Sequence, residues 1–97
     1  MSGKEEILFF LRQHKKELEE RFSVRRIGLF GSVVHGADDG ASDVDILVEL
    51  DQPTFDHYMD LKFFLEDSLG RQVDLVLADS LKPRLKSAIS REAVYYA

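Results

Sequence analysis

The residues of this chain best suited to chemistry are Asp43 and Asp45, in Ser42-Asp43-Val44-Asp45, and Asp74, in Val73-Asp74-Leu75. Residues two apart on a strand share a face, so Asp43 and Asp45 stand side by side, roughly 7 Å between α-carbons at ordinary strand rise. Hard carboxylate oxygens at that spacing suit a shared divalent ion or a pair of ions. A pair about 3.5–4 Å apart clamps the attacking and leaving oxygens of a phosphoryl or nucleotidyl transfer. Such a reaction needs a third carboxylate beside the attacking hydroxyl. Asp74 is the candidate, because an acid in an otherwise apolar strand needs a metal or a partner to be tolerated there. Upstream, Leu29-Phe30-Gly31-Ser32 offers the complement. Gly31 lets backbone approach a phosphate with no Cβ in the way, and Ser32 adds a hydroxyl at the mouth of a short helical turn whose amides favour anions.

These residues need particular elements to position them. Ser2 and Glu5 fit a capping box, and Ile7, Leu11, Leu18 and Phe22 recur at helical spacing with His14 on the same stripe, which predicts one helix over about 3–22. The run Ile7-Leu8-Phe9-Phe10-Leu11 is apolar through more than a turn, so part of it points away from this chain's own core. Val24 to Phe30 reads as a strand stopped by Gly31, with Arg25 and Arg26 on an edge strand or solvent face. Val33 to Ala37 allows a short helical turn, and Asp38 to Ser42 is turn chemistry. Asp43 to Leu50 is the clearest strand, with Val44, Ile46, Val48 and Leu50 on one face and Asp43, Asp45, Leu47 and Glu49 on the other.

Thr54 then caps a helix over Phe55 to Leu69 that Gly70 ends, and its apolar positions again cover more than one face. Both surplus apolar surfaces suggest a partner. Gln72 to Ala78 reads as a third strand. Asp79-Ser80 caps a last helix that tolerates Pro83 in its first turn and turns Leu81, Leu85, Ala88 and Ile89 inward. Glu92 to Tyr96 is helix or a short edge strand, and Tyr95 and Tyr96 pack the C-terminus. His14 reads as a core-edge residue and His57 as exposed. Either early aspartate alone would pass for a turn cap or an exposed strand residue; the set with Asp74 reads as a site. An EF-hand reading of Asp38 to Asp45 fails on ligand spacing.

The bulk numbers bound the answer. At 97 residues the chain is expected to be a single domain spanning 1–97, with 44% hydrophobic and 32% charged residues. A net charge of −5 with no basic run argues against direct nucleic-acid binding. There is no cysteine, no signal-peptide core at the start and no apolar run of membrane-spanning length, so the expectation is a cytoplasmic protein.

Gly31-Ser32, a ten-residue gap, Asp43-Val44-Asp45 and the later Val73-Asp74-Leu75 together resemble the polymerase-beta-type nucleotidyltransferases. The run Leu29-Phe30-Gly31-Ser32 … Gly36 … Ser42-Asp43-Val44-Asp45-Ile46-Leu47-Val48 is similar to the minimal nucleotidyltransferases of HEPN–MNT pairs. The resemblance extends from the first strand through the last helix. It implies an α/β (α+β) fold with a small mixed sheet flanked by helices. It also implies Mg²⁺, in two ions, at Asp43, Asp45 and Asp74, with Asp74 helping to deprotonate the acceptor and ATP as substrate. Gly31 and Ser32 would meet the phosphates, with His35 and Ser42 on the same nucleotide side.

Such proteins act as antitoxins that transfer AMP to a tyrosine of a HEPN-domain toxin, which implies a hetero-oligomer. Where similar sequences carry Ala-Arg-Gly after the Gly-Ser pair, this one has Val34-His35-Gly36, so a fixed cation is replaced by a group mostly neutral at pH 7. Two competing readings are a non-catalytic antitoxin that occludes a HEPN partner and a nucleotidyltransferase for small molecules.

Overall fold

The structure is a computed structural model that describes residues 4–31, 43–80, 83, 84, 94 and 95. Where one helix is expected there are two, Lys4–Gln13 (α1) and Lys15–Phe22 (α2). The break is His14, at φ −105° and ψ 16°. Its ring Nδ1 donates to Phe10 O at 2.9 Å, and its own N–H reaches that same carbonyl at 3.1 Å. A side chain inserted into the helical ladder is a recognised cause of a kink. The apolar stripe survives it, since Ile7, Leu11, Leu18 and Phe22 are all buried while His14 sits half-buried against the Phe10 ring.

α2 ends at Ser23, a left-handed residue (φ 55°, ψ 35°) whose N–H returns to Leu18 O. That conformation costs a non-glycine residue roughly 1–2 kcal/mol, and hydrogen bonds to the loop beyond the second strand hold it. Ser23 O accepts from Asp51 N at 2.8 Å and Ser23 Oγ accepts from Gln52 N at 3.1 Å. His57 completes the clamp, Nδ1 donating to Gln52 O at 2.7 Å, and is therefore half-buried where sequence suggests full exposure.

Val24–Phe30 (β1), Val44–Leu50 (β2), Val73–Leu77 (β3) and Val94–Tyr95 (β4) form a sheet in the order β3-β2-β1-β4. β1 runs antiparallel to β2 and β4, and β2 runs parallel to β3, so the sheet is mixed as expected. Of the stretch expected as helix or short edge strand, Val94 and Tyr95 are strand, and they pair with Gly28 and Leu29 of β1. That pairing stops short of Arg25 and Arg26, which are exposed, as the reading of a solvent face expects. Both are exposed because the β1/β2 register slips between Val24 and Arg26, a bulge that brings both guanidinium groups near Glu49, at 3.4 and 3.7 Å.

Phe55–Leu69 (α3) is the crossover that a parallel β2/β3 pair requires. It starts on Thr54, whose Oγ1 accepts from His57 N at 3.1 Å, and stops on the left-handed Gly70. Thr54→Ala is expected to lower stability by about 1 kcal/mol, read as a shifted urea midpoint at unchanged slope. α1, α2 and α3 cover one face of the sheet, where Ile7, Leu11, Leu18, Phe22, Leu61 and Leu65 pack on the inward residues of β1, β2 and β3. α3 also dresses the outer edge of β3: Glu66 Oε2 accepts from Val73 N at 3.0 Å and the Tyr58 hydroxyl donates to Leu75 O at 2.6 Å. After β3 the chain makes a 3₁₀ turn, Ala78–Ser80. Leu81, Leu85, Ala88 and Ile89, expected on a last helix, lie outside the described residues.

Candidate active site

The helices leave the other face of the sheet to the acids. Phe30 pairs with Asp45 across β1 and β2, and Asp45 pairs with Asp74 across β2 and β3. Register partners on adjacent strands lie about 4.8 Å apart and point the same way, so two of the three predicted carboxylates rise side by side from neighbouring backbones. Asp43 comes just before β2, one residue from Val44, whose N–H donates to Gln72 O at 2.9 Å and so ties the starts of β2 and β3 together. Asp45 is half-buried, while Asp43 and Asp74 are exposed. The next row on this face is Gly28, Leu47 and Val76, and Leu47 is fully buried. The acids thus stand at one end of the sheet, beside an apolar floor.

Gly31 follows β1 directly and has φ +76°, a conformation that disfavours any side chain. A Cβ built there would overlap the Asp45 carboxylate, with Asp45 Cγ at 2.9 Å and Asp45 Cβ at 3.2 Å. The sequence assigns this glycine to phosphate approach. Its place in the fold adds a second reason for it, since the missing methyl is the space Asp45 occupies. Ser32, His35 and Ser42, expected on the nucleotide side, lie outside the described residues.

The donor set fits a hard divalent ion: carboxylate oxygens on one face and no soft ligand. Among the described residues no three such side chains converge as they stand. Asp43 and Asp74 are exposed, so a change of rotamer is what would turn them onto an ion shared with Asp45, which is confined by Gly31. Two apolar hollows of about 390 and 270 Å³ lie at the far end of β2 and β3, lined in part by Pro53, Leu77 and Ser80, and neither includes an acid of this row. The chemistry is therefore not sought there.

Sequence reasoning missed the two residues that fix the height of β3 and with it Asp74. Tyr58 and Glu66 looked like ordinary positions of a half-apolar helix, and only the crossover geometry brings them to the strand edge.

Known proteins resemble this chain in sequence and in fold. The model of the nucleotidyltransferase domain family matches residues 11–96. The protein adenylyltransferase MntA of Thermococcus cleftensis is 49% identical over 92 residues, which are 94% of this chain and 93% of that one. A solved structure proposed to be a minimal nucleotidyltransferase superposes with a TM-score of 0.73 at 35% identity, over 90% of this chain and 93% of the other. The MNT antitoxin complex with the tri-AMPylated HEPN toxin of Shewanella oneidensis also matches, with a TM-score of 0.64 at 20% identity over 93% of this chain and 71% of that one, a likeness of fold.

This small mixed sheet with its acidic row is the nucleotidyltransferase fold. The chain belongs to the nucleotidyltransferase domain family and, within it, to the minimal nucleotidyltransferases. It is an enzyme of the nucleotidyltransferase class.

Proposed function

We propose that this enzyme is an antitoxin that transfers AMP from ATP to a tyrosine hydroxyl of a HEPN-type toxin and so silences it. The observation that carries the reading is the Asp45/Asp74 register pair, with Asp43 two residues before Asp45, just ahead of β2. It is supported by the adenylyltransferase relative and by the AMPylated state of the toxin in the Shewanella complex. In the proposal Asp43, Asp45 and Asp74 hold Mg²⁺, which when bound neutralises the phosphate charge and the charge developing at the α-phosphorus. Asp74 also takes the proton from the acceptor hydroxyl as general base. The acceptor oxygen bonds the α-phosphorus, the bond to the α–β bridging oxygen breaks, and pyrophosphate leaves. The Gly31 backbone, Ser32, His35 and Ser42 are assigned to the triphosphate. The chain would act as one domain, in the cytoplasm, in a hetero-oligomer with the toxin. Among the described residues no helix is long and apolar enough to cross a membrane.

The test is transfer of label into protein in a lysate of the source cells supplied with Mg²⁺ and ATP labelled at either end. One protein band whose α-phosphate label depends on this chain is expected, and this chain should add no γ-phosphate label to it, because in AMP transfer the γ-phosphate departs with pyrophosphate. Failure of all four ribonucleoside triphosphates to label any protein would overturn the proposal. The exposed Phe9, Phe55 and Phe63 favour one second reading, neutralisation of the toxin by occlusion alone. Under that reading a variant lacking all three acids still neutralises the toxin in cells.

A further inference from the structure

α3 turns Leu61 and Leu65 into the core, and its helical period sends the opposite side to solvent. What stands on that side is not a plain polar face. Phe55, Met59 and Phe63 recur at intervals of four along it; Phe55 is 75% exposed, Phe63 is 54% exposed and Met59 is partly covered. Asp56, Asp60 and Asp67 run alongside, all exposed. Among the described residues none of the three meets a cation, and the one lysine of the helix, Lys62, lies 3.9 Å from Glu66. The result is an apolar ridge with an unneutralised acidic flank.

We infer that this face docks a protein partner presenting an apolar groove between helices, bordered by lysine or arginine. A row of side chains four apart is the ridge that seats between the residues of a packed helix. The flanking aspartates select a basic border and repel an acidic one. The same sign disfavours nucleic acid and anionic lipid, and it disfavours a second copy, because α3 laid on α3 sets aspartates against aspartates. The ridge lies on the helical side of the sheet, so a partner seated there leaves Gly31, Asp43, Asp45 and Asp74 uncovered. It also lies beside β3, whose edge α3 holds through Tyr58 and Glu66, so the docked partner is a neighbour of Asp74. The inference rests on the reading that the chain works on a protein, but binding at α3 and transfer at the acids are separable.

The experiment places photoreactive benzoylphenylalanine at position 63, irradiates the full chain in a lysate of the source cells and maps the adduct by mass spectrometry. Position 19, on the solvent side of α2, is the control. The expected adduct from position 63 falls on an apolar residue of a helical segment with Lys or Arg within one turn. Its yield should drop about tenfold or more in the D56K/D60K/D67K background, the loss of roughly one decade of affinity that opposed charges bring. If that triple variant melts early, D60K/D67K, which leaves the first turn of α3 intact, takes its place.

An adduct on a second copy, a yield indifferent to charge reversal, or adducts from position 19 but none from position 63 would each overturn the inference. α-Phosphate label is followed on the same samples. A cross-link from position 63 in the chain with its aspartates intact, without any label, would refute the transfer reading and leave the surface standing.

Discussion

Asp45→Asn is expected to abolish AMP transfer, by at least about a thousandfold, while the protein stays folded. Asparagine keeps the volume and shape of the side chain, so the packing beside Gly31 and the β1/β2/β3 register of Phe30, Asp45 and Asp74 are preserved. What goes is the full negative charge that the proposal uses to hold a divalent cation. Metal-assisted stabilisation of a phosphoryl group contributes several kcal/mol, and about 1.4 kcal/mol corresponds to a decade of rate. Asp74→Asn should lose roughly a hundredfold or more, the range for removing a general base. Asp51→Asn is the control, since Asp51 is exposed and its ion pair with Arg25, at 3.6 Å, lies at the other end of β2. Initial rates of α-phosphate incorporation, with circular dichroism melts on the same preparations, make the comparison. A fully active Asp45→Asn enzyme would remove the acids from the mechanism.

Gly31→Ala should reduce transfer by about a hundredfold and stability by roughly 1–2 kcal/mol. Two independent penalties act. The backbone at φ +76° disfavours a Cβ, and the new methyl collides with the Asp45 side chain. The carboxylate must then move, and a displacement of about 1 Å at a reacting centre is enough for two decades of rate. This account separates from a purely phosphate-binding role for the glycine. If Gly31 only admits the nucleotide, the variant raises KM for ATP and leaves kcat alone. If it also seats Asp45, kcat falls, and Gly31→Ala/Asp45→Ala is more stable than the sum of the single losses predicts, because trimming Asp45 removes the collision. Additive stabilities with an unchanged kcat would refute the steric argument.

The parts of this molecule that were legible in its sequence are those that depend on local period. β2 declared itself through an alternation broken only at Leu47, and that alternation set Asp45 on the face opposite Val44 and Ile46; Asp43, expected as the first residue of the strand, comes just before it. α3 declared itself through Thr54 at its start and Gly70 at its end. Features set by contact between distant residues were not legible. Nothing in the sequence says that Asp74 sits opposite Asp45, since that register follows from the length of the crossover and the way α3 seats on the sheet. The bulge at Arg25 shows only against Glu49, and the burial of β1 within the sheet depends on β4 returning from the far end of the chain. His14 is a subtler case. Its place on the apolar stripe was apparent, but the bond from its ring to Phe10 O, which divides the helix, is a matter of a single rotamer.

The position of β3 at the end of the sheet bears on what this enzyme is able to modify. Asp74, the carboxylate assigned to the acceptor, has a strand on one side only, and among the described residues no further strand stands beyond it. In the proposed reading an acceptor meets Asp74 at the rim of the sheet, next to backbone that α3 already holds through Glu66 and Tyr58, so a folded protein is as admissible an acceptor as a peptide. The restriction falls instead on reach: the hydroxyl has to project past its own neighbours far enough to meet an edge. Selection among acceptors would then be made by protrusion, favouring a long phenolic side chain or a residue on a tail, and an otherwise suitable serine on a flat surface would be passed over.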